Sequence, residues 1–150
     1  MRKLLAMWLS FTSMCLYAQP AEDFYVIGNM LAQEGNYQDA IKSFRESAKL
    51  DPTNPMTFYN IGLSHYFLEN VDSAIFFISQ AIEIDAGYVY AYQNRAELYS
   101  QKGMYTEAIA DLDKVIIAEP NVPAHLYNRA LFKRNLEKYY DALKDYSAFI

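Results

Sequence analysis

FYVIGNMLAQEGNYQDAIKSFRESAKLDPTNPMT, residues 24–57, is followed without a gap by FYNIGLSHYFLENVDSAIFFISQAIEIDAGYVYA, residues 58–91. Laid one on the other, the stretches agree column by column. Ala40 meets Ala74, and the same step of 34 residues leads on to Ala108 and Ala142. From Gly28 the step gives Gly62, Ala96 and Ala130, all small. From Phe24 it gives Phe58, Tyr92 and Leu126, all large and apolar. From Phe44 it gives Ile78, Leu112 and Tyr146. The column Leu31, His65, Tyr99, Lys133 is looser. Several independent columns with one period mark a tandem array, in which each copy is a supersecondary unit that buries its apolar face against its neighbours.

The columns have a physical reading. Phe24, Ile27, Gly28 and Leu31 lie at helical spacing and form one face. Ala40, Phe44, Ser47 and Ala48 do the same in the second half of the unit. Between them, Glu34-Gly35-Asn36-Tyr37 reads as a short polar turn, with Gly where the first helix stops, and Gly103 holds the same place in the third unit. Asp51-Pro52 and Glu119-Pro120 end the second helix, because Pro cannot continue it. Small residues in the Gly28 and Ala40 columns let two helices approach closely, and the Phe24 and Phe44 columns fill the space around that contact.

This pattern resembles the tetratricopeptide repeat, with its large–x2–apolar–small–x2–large first helix and Ala-x3-aromatic second helix. The units are 21–54, 55–88, 89–122 and an incomplete 123–150, after a leader at 1–18. Departures are Ala86 where Pro is expected, His65 where Tyr is usual, Val71 against Tyr37, Tyr105 and Tyr139, and Phe149 where the family usually has Ala. The resemblance implies an all-α solenoid of antiparallel helix pairs, a right-handed superhelix with a concave groove lined mainly by the first helix of each unit. It also implies binding of an extended peptide or of another protein's helix, without naming that partner.

The chain of 150 residues is 53% apolar, with 14 Tyr and 9 Phe, too apolar to stay disordered. Arg2 and Lys3 followed by the apolar run Leu4 to Tyr17 and by Ala18 read as an export signal, too short for a membrane span. Cleavage leaves 11 basic and 18 acidic side chains, a net charge of −7. An acidic chain without a Lys/Arg stripe repels phosphate backbones and anionic lipid, so nucleic acid and membrane surfaces are poor partners. The expected location is the periplasm or the medium of a Gram-negative-like bacterium. The alternatives to a cleaved signal are an uncleaved anchor and, below it, a lipoprotein at Cys15, where Met14 stands in place of the small residue that is wanted. Cys15 is the only cysteine, so the mature chain has no thiol chemistry.

No catalytic, metal or cofactor site is legible. His65 falls on the packing face of a helix and reads as a satisfied core or groove residue; His125, in a helical first turn, reads as surface. There is no Cys/His cluster and no Gly-rich phosphate loop. Asp111 and Asp113 are two apart on a helix, point to different faces, and read as a solvated or ion-paired face. Comparing the units predicts such pairs. The Ile27 column reads Ile27, Ile61, Arg95, Arg129, and the Ser43 column reads Ser43, Phe77, Asp111, Asp145. Arg appears only where Asp appears, which predicts Arg95–Asp111 and Arg129–Asp145 ion pairs replacing an apolar contact.

The remaining aromatic and amide residues point to a binding face. The first-helix columns expected to line the groove contain Tyr25, Asn29, Met56, Tyr59, Asn60, Leu63, Phe67, Tyr90, Asn94, Tyr127 and Asn128. Family members that clamp a C-terminal carboxylate use Lys and Arg with Asn in these columns. Here Tyr25, Tyr90 and Asn94 stand where the cations belong, so the resemblance implies a neutral groove of amides and aromatic rings. The expected function is a protein-interaction scaffold. The alternative is an exported recognition module of a longer signalling or enzymatic protein, because the array stops at Ile150 inside a helix with no polar cap after it.

Overall fold

The computed structural model describes residues 20–149, and the leader lies outside them. The described residues are all-α. They form α1 (20–33), α2 (Tyr37–Leu50), α3 (Pro55–Phe67), α4 (Val71–Ile84), α5 (Val89–Gln101), α6 (Tyr105–Ala118), α7 (Pro123–Asn135) and α8 (Tyr139–Phe149). Contacts divide the chain into two compact units, one ending at Ile84 and the other beginning at Asp85.

Every hairpin turns in the same way. The Asn36 N–H donates to the Leu31 carbonyl (2.8 Å) and the Gly35 N–H to the Ala32 carbonyl (3.1 Å). The same crossed pair recurs at Asn70 and Glu69, at Met104 and Gly103, and at Lys138 and Glu137. This is the Schellman closure, which satisfies the last carbonyls of a helix and needs a left-handed residue just past its end. Gly35 and Gly103 supply it at φ 81° and 72°, and Glu69 and Glu137 adopt it at 61° and 58° although they carry a Cβ. Tyr37, Tyr105 and Tyr139, which the sequence places in the turns, open the second helices instead. The closure uses so few residues that the next helix begins directly after its Asn, Met or Lys.

The links between hairpins are equally local. Pro55 and Pro123 open α3 and α7, where a missing N–H costs nothing. The Asn54 side chain accepts from the Met56 N–H at 3.0 Å. Asp51 Oδ1 accepts from the Thr53 N–H and hydroxyl, and Asp85 Oδ1 accepts from the Gly87 N–H. The Asp85 turn explains why α4 ends at Ile84 without the Pro found after Asp51 and Glu119: the acidic side chain stops the helix by bonding two residues ahead.

In the first unit Ala40, Ile41, Phe44 and Ile61 form a buried cluster, with Tyr25, Leu31, Leu68 and Phe77 around it. The Gly28 column is tight for a specific reason. A Cβ on Gly28 would lie 2.6 Å from the Phe44 ring, and one on Gly62 would lie 2.6 Å from Ile78 and 3.1 Å from the Ala74 carbonyl. Ile61 is buried, whereas Ile27 and Phe24 stand more than a third exposed. Ile61 packs against α2 of the preceding pair, and α1 has no preceding pair among the described residues.

In the second unit the cluster is Ala96, Ala108 and Leu112, with Tyr99 and Phe132 against it. The two expected ion pairs are present here. Arg95 Nε and Nη2 hold the two Asp111 oxygens at 2.8 and 2.7 Å, and Arg129 holds those of Asp145 at the same distances. Arg129 also reaches Asp113 at 2.6 Å, and Lys133 reaches Asp145 at 2.8 Å. Lys133 belongs to the loose Leu31 column, so that departure has a partner: the position faces the Ser43 column across the hairpin. In the first unit the same two positions are His65 and Phe77, whose rings stack at 5.4 Å.

Both histidines differ from expectation. His125 is buried, not on the surface, and its Nε2 lies 2.8 Å from Glu119 Oε2, tying the start of α7 to the link before it. His65 is not satisfied: both ring nitrogens are buried without a hydrogen-bond partner among the described residues.

Candidate functional site

The first helices carry the candidate residues, and in the first unit the fold brings four of them together. Tyr25 and Asn29 lie one turn apart on α1, and Met56 and Asn60 one turn apart on α3. The Asn60 Nδ2 donates to the Asn29 Oδ1 at 2.9 Å and to the Tyr25 hydroxyl at 3.2 Å. The Tyr25 hydroxyl lies 3.9 Å from Met56 Sδ. The Tyr25 ring packs on Phe44 at 5.9 Å, so the core beneath fixes the ring that positions the amide. Tyr59 and Leu63 are half-buried on the same helix. Phe67 is drawn elsewhere. It stacks on Tyr37 at 4.7 Å and 10°, at the seam between α2 and α3.

In the second unit α5 carries Tyr90, exposed, and Asn94, half-buried. α7 carries Tyr127 and Asn128, both exposed, with the Tyr127 ring tilted on Tyr146 at 5.7 Å. That contact repeats the Tyr25–Phe44 contact three periods on. Gln93 stands in the Tyr25 column, so the residue before Asn94 on α5 is an amide and not a phenol.

Charge is distributed unevenly between inside and outside. α1 and α3 contain no Lys or Arg. In the second unit Arg95, Arg129 and Lys133 turn toward the second helices and are ion-paired there. Burial alone would raise the Asp145 carboxyl, but its hydrogen bonds to Arg129 and Lys133 outweigh this and hold it below its ordinary value. Arg95 is further flanked by Tyr92 and Tyr99, each with its ring centroid 5.6 Å from the guanidinium. The sequence columns pointed to the two Arg–Asp pairs; they did not point to Asp113 as a second partner of Arg129, because that contact joins consecutive helix pairs. Among the described residues no three His, Cys, Asp or Glu side chains gather as a metal site, and no helix is long and apolar enough to cross a membrane.

Family models described as TPR repeat or tetratricopeptide repeat match residues 28–68, 57–88 and 77–110. The chain belongs to the tetratricopeptide repeat family. This tetratricopeptide chain is 34% identical to human DnaJ homolog subfamily C member 7 over 96 residues, 61% of the chain and 19% of that protein. It is 28% identical to rat serine/threonine-protein phosphatase 5 over 101 residues, 67% of the chain and 20% of that protein. The chain thus spans about a fifth of the length of the curated relatives it matches. Among solved structures, the first tetratricopeptide domain of Spaghetti (RPAP3), bound to the HSP90 peptide SRMEEVD, has a TM-score of 0.74 at 23% identity, covering 80% of this chain and 95% of that one. Its likeness establishes the all-α tetratricopeptide fold.

Proposed function

We propose that this tetratricopeptide chain is an exported scaffold whose first helices hold a segment of a partner protein. The observation that carries the proposal is what the first helices leave in solvent. Met56, Tyr90 and Tyr127 are large, apolar or aromatic, and exposed, while the interiors of the helix pairs are already filled. Large exposed apolar side chains beside orienting amides are what a peptide-binding face requires, with contact area from the rings and direction from the amides. The peptide held by the RPAP3 domain supports this use of the fold. Export rests on the basic start and apolar run of residues 1–17. The proposal gives these residues no catalytic role.

Capture of envelope proteins on the wild type and on a Tyr59→Ala, Asn60→Ala, Asn94→Ala variant tests the reading. The variant is expected to stay folded and to lose the partners. Recovery of the same partners by both would place binding elsewhere on the molecule.

A second reading is favoured by the relatives. The match covers about a fifth of a named phosphatase, so the chain also suits the role of recognition module in a longer polypeptide. The complete coding sequence decides between them: further repeats support the scaffold, and a catalytic segment supports the module.

A further inference from the structure

We infer that the turn edge of the first unit, where the rings of Phe67, Tyr37 and Tyr66 meet, is a docking surface for a basic, arginine-bearing segment of a partner protein. This surface is separate from the cluster of Tyr25, Asn29, Met56 and Asn60. Phe67 ends α3 two turns beyond Asn60, about 10 Å along the helix.

The fold does not need these rings. In the Phe67 column the other units carry Gln33, Gln101 and Asn135, and in the Tyr66 column they carry Ala32, Ser100 and Arg134. In the second unit Tyr105, which shares the Tyr37 column, meets the half-buried Phe132 instead, at 6.0 Å. In the first unit Tyr37 covers one face of the Phe67 ring, parallel to within 10° at 4.7 Å, and Tyr66 leans on it at 5.5 Å and 60°. Phe67 is nevertheless 55% exposed and Tyr66 38%. A large apolar surface is thus held in water by its own neighbours. A ring already fixed by stacking loses little further freedom when a ligand covers it.

The charge around the rings selects the partner. Two turns flank them, residues 34–36 directly before Tyr37 and residues 68–70 directly after Phe67. These turns carry the exposed acids Glu34 and Glu69 and no Lys or Arg. Neither acid is ion-paired with a described residue; Glu34 Oε2 accepts from the Asn36 side-chain amide at 3.3 Å. The Lys and Arg side chains of residues 20–84 are Lys42, Arg45 and Lys49, all on α2 and all engaged there. Lys42 pairs with Asp39 and Lys49 with Glu46, while Arg45 lies over the Phe77 ring. The unit therefore supplies no counter-charge to the two turns. An aromatic face attracts a cation, and the planar, weakly hydrated guanidinium of arginine stacks on a ring while its N–H groups remain for carboxylates. Lysine brings the charge without the stacking, and an acidic segment is repelled by Glu34 and Glu69.

The test uses the full chain and four capped nonapeptides, Gly-Ser-Leu-Xaa-Leu-Xaa-Leu-Ser-Gly, in which Xaa is arginine, lysine, norleucine or glutamate. Binding is measured by fluorescence anisotropy. The arginine peptide is expected to bind most tightly, the lysine peptide about threefold and the norleucine peptide about tenfold more weakly, and the glutamate peptide not at all. Phe67→Gln installs the residue found at Gln33 and Gln101, so its helical circular dichroism is expected to be unchanged. It is expected to bind the arginine peptide about tenfold more weakly. Phe67→Leu keeps apolar area but not the aromatic face, and is expected to lose about threefold for the arginine peptide and nothing for the norleucine peptide. Glu34→Gln combined with Glu69→Gln is expected to remove most of the preference for arginine over norleucine. No binding of the arginine peptide at millimolar concentration, equal binding of the norleucine peptide, or unchanged binding by Phe67→Gln would overturn the inference. The Tyr59→Ala, Asn60→Ala, Asn94→Ala variant is expected to bind the arginine peptide as the wild type does. If that variant loses the peptide while Phe67→Gln keeps it, the first-helix face takes the cation, and the inference falls with the scaffold reading intact.

Discussion

Glu69 and Glu137 occupy positions where the backbone is left-handed, and Gly35 and Gly103 occupy the equivalent positions. A Cβ in that conformation costs about 1–2 kcal/mol, partly offset because Gly loses more freedom on folding. Glu69→Gly and Glu137→Gly are therefore expected to stabilise by about 0.5–1 kcal/mol. Gly35→Ala is expected to destabilise by a similar amount, through conformation alone, since a Cβ there meets nothing within 4 Å. Urea denaturation midpoints check all three, and a loss of stability in Glu69→Gly would contradict the backbone account. His65 supplies a second residue-scale expectation. Burial, and then the nearby Arg45 charge, push its pKa below 6.5. The unfolded chain thus binds the proton more readily. Stability is full above the ordinary histidine value, falls as pH drops from about 6.5 toward the lowered one, and is level below it. His65→Tyr, the residue found at Tyr99 in the same column, is expected to flatten that part of the profile of melting temperature against pH.

Helices meet here at columns of different stringency. Ala74 is fully buried, and its carbonyl lies under Gly62, so Ala74→Leu forces added volume into a backbone contact. It is expected to cost about 1–3 kcal/mol, while Gln101→Leu on the exposed end of α5 stays within about 0.5 kcal/mol. Equal midpoints for the two variants would mean that the small column does not set the helix spacing. In the second unit charge replaces part of this packing. Arg129 joins Asp145 on α8 and Asp113 on α6, so one side chain ties three helices. Arg129→Met leaves the buried Asp145 with Lys133 alone and is expected to cost about 2–4 kcal/mol, less than a wholly isolated buried charge because Lys133 remains. Lys42→Met, which breaks an exposed pair with Asp39, is expected to change stability by less than about 0.5 kcal/mol. Thermal or urea unfolding of both variants makes the comparison.

At the scale of the molecule, the two compact units solve the same packing problem with different chemistry: aromatic rings and aliphatic side chains in the first, paired charges in the second. Their responses to acid should differ accordingly. The Asp145 carboxyl is held below its ordinary 3.8 by Arg129 and Lys133, so its contribution is complete above that value and is lost as pH falls through the lowered pKa. Melting curves are expected to show one decline beginning near pH 6.5, removed by His65→Tyr, and a further one below about pH 4, reduced by Asp145→Asn. A single acid transition untouched by either change would show that these groups do not govern acid stability. Export belongs to this scale as well. Cleavage after Ala18 predicts a mature chain starting at Gln19 without cysteine, and intact-mass measurement after expression in a Gram-negative host reads it directly.

Period and composition were enough to reveal the helix pairs, because a repeat acts as its own alignment: Ala40, Ala74, Ala108 and Ala142 mark one contact four times over. They also revealed the Arg95–Asp111 and Arg129–Asp145 pairs, since paired substitutions within a unit leave a trace in its columns. What the columns could not show is which side chains face across from one pair to the next, or which polar atoms are used up when they do. Asp113 reaching Arg129, His125 buried against Glu119, and the His65 ring nitrogens left without a hydrogen-bond partner among the described residues are of that kind. So is the candidate site. Sequence placed Tyr25, Asn29 and Asn60 on one face, but only the approach of α1 to α3 decides that Asn60 gives both its hydrogens to its neighbours. That hydrogen-bond accounting depends on distances between atoms 31 and 35 residues apart in the chain, and no local pattern encodes them.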